Sequence, residues 1–272
     1  MQWARPSRRG VLLGALGLLG SGGSVEGGVD GEEGLRERAL ARYWARRPRH
    51  WGLDVPGVIS RSDISGVISG SEGEAVALTF DACGGRVHRY DEDLIEVLRR
   101  EQVPATLFIN QEWAEANPDI TQDLVDDPLF EIANHGDRHV PLSVRGWVAY
   151  GVPGTEHVSA AFDEIRGPHL FFQSRYGVTP RWFRPGTAHC DEVAADLARW
   201  LGTPVVGLSV NADWGATASA DQVANNVVQA GPGDIVLGHF NHPGSGTAAG
   251  ISRAIEILRE REVSFARLQD VL

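Results

Sequence analysis

Ala75-Val76-Ala77-Leu78-Thr79-Phe80-Asp81-Ala82-Cys83-Gly84-Gly85 is the stretch that decides the fold. A short, almost continuous apolar run reads as a strand covered on both faces. It ends on an aspartate and then on turn-forming glycines. Working outward, the same unit recurs. Asp91 to Arg100 has helical spacing, with Leu94, Ile95 and Leu98 on one face. Ala105 to Ile109 is the next strand, followed by helices at Gln111 to Ala116 and Thr121 to Val125. Glu131-Ile132-Ala133 then runs into a polar turn, and a helix is expected over Val158 to Tyr176. Strands at Arg181 to Phe183, Val205 to Val210 and Asp234 to Gly238 alternate with helices at Asp191 to Leu201, Asp221 to Ala230 and Ala248 to Arg261. A short strand closes the chain at Ser264 to Arg267. Alternating strands and helices imply βαβ units and a parallel sheet, and about seven such repeats suggest a barrel more than an open sheet. No G-x-G-x-x-G follows the first strand, which weakens a dinucleotide-binding reading.

The chain has 272 residues, 42% of them hydrophobic, enough for one large core. A formal net charge of -11 makes nucleic acid an unsuitable partner, because phosphate backbones repel it. The N-terminus carries Ser7-Arg8-Arg9 followed by the apolar Val11 to Leu19. That order resembles a twin-arginine export signal. The apolar run is shorter than the ~20 residues a membrane span needs, so the membrane enters only through a retained signal anchor. The expected division is an export signal and flexible linker at 1–34, an N-terminal helix and wrapping segment at 35–73, and a catalytic domain at 74–272. Trp44 and Trp51 read as packing residues.

In parallel α/β folds, active sites lie where strands end and loops begin. The strand ends here carry Asp81, then Asn134-His135-Gly136-Asp137-Arg138-His139, then Arg184-Pro185-Gly186-Thr187, then Asp213-Trp214, then His239. His135 and His139 are four apart, which on one helical turn would let both imidazoles grip one metal. Surface or capping histidines are the bland alternative. Asp81 could cap a turn, or act as a base toward water beside a metal. Arg184 could be a structural ion-pair residue, or orient a carboxylate bidentately. His239 suits a general acid, with Asp213 fixing its tautomer and raising its pKa.

These residues, in this order, resemble the polysaccharide deacetylase family, the nodulation-type deacetylase domain of carbohydrate esterases, over roughly residues 74–272. Thr79-Phe80-Asp81 is similar to its first motif and His135 to His139 to its second. Arg184-Pro185-Gly186-Thr187 is similar to the third, Asp213-Trp214 to the fourth and Leu237-Gly238-His239 to the fifth. The resemblance implies an irregular (β/α) barrel of about seven strands, related to the TIM barrel. It implies Asp81 as catalytic base, oriented by Arg184, and His239 as the acid, supported by Asp213. His135 and His139 would hold a divalent metal, zinc or cobalt. The Thr187 N–H would serve an oxyanion hole, with Trp214 and Leu237 in the substrate pocket. One position departs from the family: Ala82 stands where a second aspartate usually provides the third metal ligand. Asp81, water, Cys83, Asp137 or Asp191 could fill that place, or the site could be metal-free or inactive. Cys83 and Cys190 follow the first and third motifs, whose loops should meet at one barrel mouth. A disulfide between them is expected, against two free buried thiols or Cys83 as a thiolate ligand.

The activity implied is removal of N-acetyl, or O-acetyl, groups from an extracytoplasmic polysaccharide such as peptidoglycan or an exopolysaccharide. The alternatives are a metal-independent amidase-like hydrolase on the same fold and a non-catalytic glycan-binding protein. Gly244-Ser245-Gly246 reads as a rim or lid of the cleft; His242 could touch substrate but reads sooner as a surface residue, and of the remaining histidines His189 is the best candidate to line the cleft.

Overall fold

The computed structural model describes residues 29–61, 75–85 and 88–272. The export signal and its linker up to residue 28, and the end of the wrapping segment at 62–74, lie outside the described residues. No helix among the described residues is long and apolar enough to cross a membrane.

The chain opens with α1 (Val29–Tyr43) and β1 (Trp51–Gly52), then β2 (Ala75–Ala82) and α2 (Glu92–Arg100). Next come β3 (Ala105–Ile109), α3 (Gln111–Ala116), α4 (Pro118–Asp126) and β4 (Phe130–Asn134). A small hairpin, β5 (Val148–Ala149) and β6 (Val152–Pro153), precedes α5 (Val158–Tyr176). The chain continues with β7 (Cys190–Asp191), α6 (Glu192–Trp200), β8 (Val210–Asn211) and α7 (Ala220–Val227). It finishes with β9 (Ile235–His239), α8 (Thr247–Glu260), β10 (Ser264–Ala266) and α9 (Leu268–Val271).

The central sheet runs β4-β3-β2-β9-β8, all parallel, with β10 also parallel to the start of β2. Two of the expected strands are reduced to less. Phe183 makes single parallel bridges to Asn134 and Val205, and only Val210–Asn211 of the Val205 to Val210 stretch forms a strand. Pro180, Pro185 and Pro204 flank these segments and lack the N–H a ladder needs. The bridges still carry parallel pairing from β4 round to the segment that ends in β8. The result is the expected barrel-like α/β architecture, less regular than the sequence rhythm suggests.

Pleating sorts β2 by parity. Val76, Leu78, Phe80 and Ala82 pack with Leu94, Ile95 and Leu98 of α2 in the largest apolar cluster. Ala77, Thr79 and Asp81 take the other face, toward the barrel interior. Helix α2 forms because the Asp91 side chain caps it at Leu94 N, 3.2 Å away. Glu92 and Asp93 in its first turn and Arg99 and Arg100 in its last turn suit the helix dipole. Helix α1 belongs to a second cluster, where Ala39 and Tyr43 meet Leu197, Ala198 and Ile165 of α6 and α5. Helix α1 thus packs against α5 and α6. Trp44, however, is exposed rather than packed, whereas Trp51 stacks edge-on against Trp147.

The expected Cys83–Cys190 disulfide does not form; both thiols are free. Cys190 lies in β7, which pairs antiparallel with β1, and its side chain is fully buried in the second apolar cluster. Cys83 instead faces the cleft, beside His135. The two loops do approach the same region, but the cysteines point into different environments.

Candidate active site

Each chemically important side chain sits at or just past the C-terminal end of a strand or bridge, so one rim collects them all. Arg184 follows the Phe183 bridge and is fully buried. Its Nη1 donates to Asp81 Oδ1 at 2.8 Å and to Thr79 Oγ1 at 2.9 Å. Its Nη2 donates to Gly207 O at 2.8 Å, its Nε to Val206 O at 3.2 Å, and its guanidinium lies 4.0 Å from the Phe108 ring centre. Of the two readings, ion pair or bidentate clamp, the contact to Asp81 is a single one, because Nη2 and Nε are taken by backbone carbonyls. The Arg184–Asp81 ion pair is almost fully buried. Burial alone would raise the Asp81 carboxyl, but Arg184, His135 and His239 hold it below its ordinary value.

On the opposite side, His239 Nδ1 donates to Asp213 Oδ1 at 2.8 Å. Asp213 Oδ2 accepts from the His239 backbone N–H at 2.8 Å and from Thr247 Oγ1 at 2.9 Å. The carboxylate fixes the tautomer, leaving Nε2 as the free nitrogen. Burial opposes charge on His239, yet Asp213 first and Cys83 after it, through hydrogen bonding and charge, push its pKa well above the usual imidazole value. Asp213 is correspondingly lowered, although burial again opposes this.

His135 and His139 lie between these pairs. They occupy a loop after β4, not a helical turn: Gly136 has φ 78° and His139 φ 55°. Their rings nonetheless meet, with centres 4.8 Å apart. The third motif supplies the reason. A Cβ on Gly186 would fall 2.3 Å from the His139 backbone, so only glycine lets the two loops close together. His135 Nδ1 donates to Arg184 O at 2.8 Å, which leaves Nε2 facing Cys83 Sγ at 3.8 Å and Asp81 Oδ2 at 3.6 Å.

Donor atoms of Cys83, His135 and His139 lie within 4.8 Å of one another, a group able to hold a metal. One thiol and two imidazoles fit zinc or cobalt, and three protein ligands with an open side match catalytic zinc sites. Of the other residues weighed for the vacant role, Asp191 is excluded. It caps α6 at Ala194 N and accepts from Val144 N. Burial would raise the Cys83 thiol, but hydrogen bonds to His135, His139 and His239 bring it well below the usual range.

These groups open onto a cleft of about 680 Å³. Asp81, His135, His139, Thr187, Trp214, Leu237 and His239 all line it, while Arg184 and Asp213 stand behind as buried supports. Thr187 has φ 63° in the tight turn Gly186–Ala188. Trp214 is half exposed. His242 lines the cleft after all, and His189 does not, packing instead against Trp51 and Tyr150.

Sequence reasoning missed four contributors. Asn110, at the end of β3, donates through Nδ2 to the carbonyls of Gly136 and Asp137 at 2.7 and 2.9 Å and caps α3 with its Oδ1. Glu164 of α5 accepts from Arg138 N and packs against Gly136. Thr247 braces Asp213. Tyr150, at the β5–β6 hairpin tip, reaches the cleft rim and is 80% exposed. Asn110 alone left a signal, as another polar strand end.

A carboxylate whose pKa is lowered, an imidazole whose pKa is raised and a donor cluster between them meet at one rim of a parallel α/β fold. The chain belongs to the polysaccharide deacetylase family: the family model described as Polysaccharide deacetylase matches residues 69–206. Asp213 and His239 fall beyond that match and are joined to it by the geometry above. The Bc1960 peptidoglycan N-acetylglucosamine deacetylase is 24% identical, with a TM-score of 0.65, covering 79% of this chain and 92% of that one. BA3943, a family 4 carbohydrate esterase pseudoenzyme from Bacillus anthracis, is 20% identical with a TM-score of 0.64, covering 79% of this chain and 69% of that one. These likenesses carry the fold alone. The uncharacterized protein YlxY of Bacillus subtilis (strain 168) is 22% identical over 187 residues, 68% of this chain. The chain spans about half the length of that curated relative, 54%.

Proposed function

We propose that the protein hydrolyses acetyl groups, N-acetyl foremost, on an extracytoplasmic polysaccharide such as peptidoglycan, and that its N-terminus directs twin-arginine export. The observation that carries this reading is the pairing of Asp81–Arg184 with His239–Asp213 across one cleft. Binding alone needs neither a base held ionised nor an acid held protonated. The metal site fits the same reading: a divalent ion held by His135, His139 and a third donor supplies Lewis acidity toward the acetyl carbonyl and toward water.

Asp81 takes a proton from the attacking water as its oxygen bonds to the acetyl carbon. His239 Nε2 passes its proton to the sugar nitrogen as the carbon–nitrogen bond breaks, so acetate and a free amine leave. The Thr187 N–H is proposed to donate to the oxyanion. Trp214 and Leu237 give the acetyl methyl an apolar wall, and the exposed rings of Trp214 and Tyr150 offer faces for sugar.

A silent, glycan-binding reading draws on Ala82 and on BA3943, described as a pseudoenzyme of which a mutant has restored activity. Acetate release from N-acetylated glycans decides between the two. The deacetylase reading expects release that is lost to a chelator and reduced about 10²- to 10⁴-fold in His239→Ala. Glycan binding without release in wild type would support the silent reading, and chelator-insensitive release the amidase-like alternative.

A further inference from the structure

Ala82 offers no donor where the resemblance expects a ligand. It is fully buried in the apolar cluster with Leu78 and Phe80, on the face of β2 turned from the cleft. Cys83 is one residue further on, so pleat parity returns it to the side of Asp81. Both line the cleft and Ala82 does not. We propose that Cys83 is the third protein ligand of the metal site, completing a Cys-His-His set with His135 and His139. The site's place in catalysis rests on the deacetylase reading; its composition does not.

Three observations carry the assignment. The Sγ and the two imidazoles already form one group. The His135 tautomer is set by its Nδ1–H donating to Arg184 O, so that Nε2, the nitrogen facing Cys83, carries the lone pair. The loop bearing the thiol is also held. Ala82 O accepts from Asn110 N at 3.1 Å, Cys83 O accepts from Asn241 Nδ2 at 3.3 Å, and a Cβ on Gly84 would fall 2.3 Å from Asn110 Oδ1. The same Asn110 side chain holds the carbonyls of the histidine loop. One residue therefore fixes the spacing between the thiol and the imidazoles.

Arg184 engages only Oδ1 of Asp81, so Oδ2 remains free to act as base. A thiolate carries the same single negative charge as the carboxylate it replaces, so the charge of the site is kept. Its softness favours zinc or cobalt over magnesium or calcium.

The test is Co²⁺ titration of the full chain, followed by absorption spectroscopy. Wild type should bind one Co²⁺ and show an intense near-ultraviolet sulfur-to-cobalt band. The chain has two cysteines, so Cys190→Ala must keep the band and Cys83→Ser must lose it, with Co²⁺ binding weakened more than about 100-fold. Cys83→Asp should bind Co²⁺ without the band, which guards against a variant that merely misfolds. A band that survives Cys83→Ser, a wild-type complex without one, or no stoichiometric Co²⁺ binding would each overturn the proposal. A thiolate–cobalt band without acetate release would leave this site standing and sink the deacetylase reading. Acetate release from a metal-loaded chain lacking the band would do the reverse.

Discussion

Asp81 and His239 are register partners on the adjacent parallel strands β2 and β9. Residues paired in this way lie on one face of a sheet, about 4.8 Å apart across the ladder. The spacing of the proposed base and acid is thus fixed by backbone hydrogen bonds rather than by loops. Two groups so coupled in one reaction should not behave additively. Asp81→Asn and His239→Ala are each expected to lower kcat about 10²- to 10⁴-fold, and the double variant little further. Steady-state acetate release checks this; losses that simply multiply would mean the two contribute independently.

Arg184 is a buried charge with one carboxylate partner. Removing it in Arg184→Met leaves Asp81 uncompensated in the interior, which costs roughly 3–5 kcal/mol. Urea unfolding should show a lowered midpoint, and the pH at which activity appears should move upward as Asp81 becomes harder to ionise. Unchanged stability would make the ion pair dispensable.

Asp213 raises the His239 pKa through the Nδ1 hydrogen bond. The acid works only while protonated, so activity falls as pH rises past that pKa. In Asp213→Asn the imidazolium loses its counter-charge and the alkaline limb of kcat/KM should move to lower pH. The accompanying drop in kcat is expected to reach about 10³-fold, because the tautomer is no longer fixed. A pH–rate profile with its alkaline limb in place would remove Asp213 from this role.

Tyr150 is held at the hairpin tip with φ 50°, next to Gly151 with φ 78°, the geometry of a tight primed turn. Tyr150→Ala should raise KM for a polymeric glycan about 2- to 10-fold, the equivalent of ~0.5–1.5 kcal/mol of aromatic contact, with kcat unchanged. A fall in kcat at constant KM would place the ring nearer the chemistry than the rim.

Glu131, far from the cleft, accepts from Trp182 Nε1, Thr106 Oγ1 and Gln269 N. Burial raises its carboxyl, and those hydrogen bonds offset this only in part. The folded chain therefore holds this proton more tightly than the unfolded chain. Its contribution to stability is full below the ordinary glutamate pKa and declines as pH rises above it. Glu131→Gln removes that dependence. The stability advantage of wild type over the variant should shrink between about pH 4 and pH 7; an advantage that grows would mean that the ionised form is the one stabilised.

The alternation of strands and helices is legible along the chain, because burial leaves a period that is read locally. Strand β3, α3 and α5 fall where that period places them. The sequence also determined which residues stand at the strand ends, since a polar side chain closing an apolar run needs a reason to be there. Only the tertiary structure decided what those residues meet. The spacing of His135 and His139 suggests a helical turn, yet a left-handed loop locked by Gly186 brings them together. Motif order placed the two cysteines at one mouth, but not which way each sulfur points; β7 turns Cys190 into the core and the pleat of β2 turns Cys83 to the cleft. Glu164 works through a loop distant in sequence, so no local pattern announces it. Periodicity is a property of neighbours along the chain, whereas the site is made by contacts between strands whose register is fixed only when the sheet assembles.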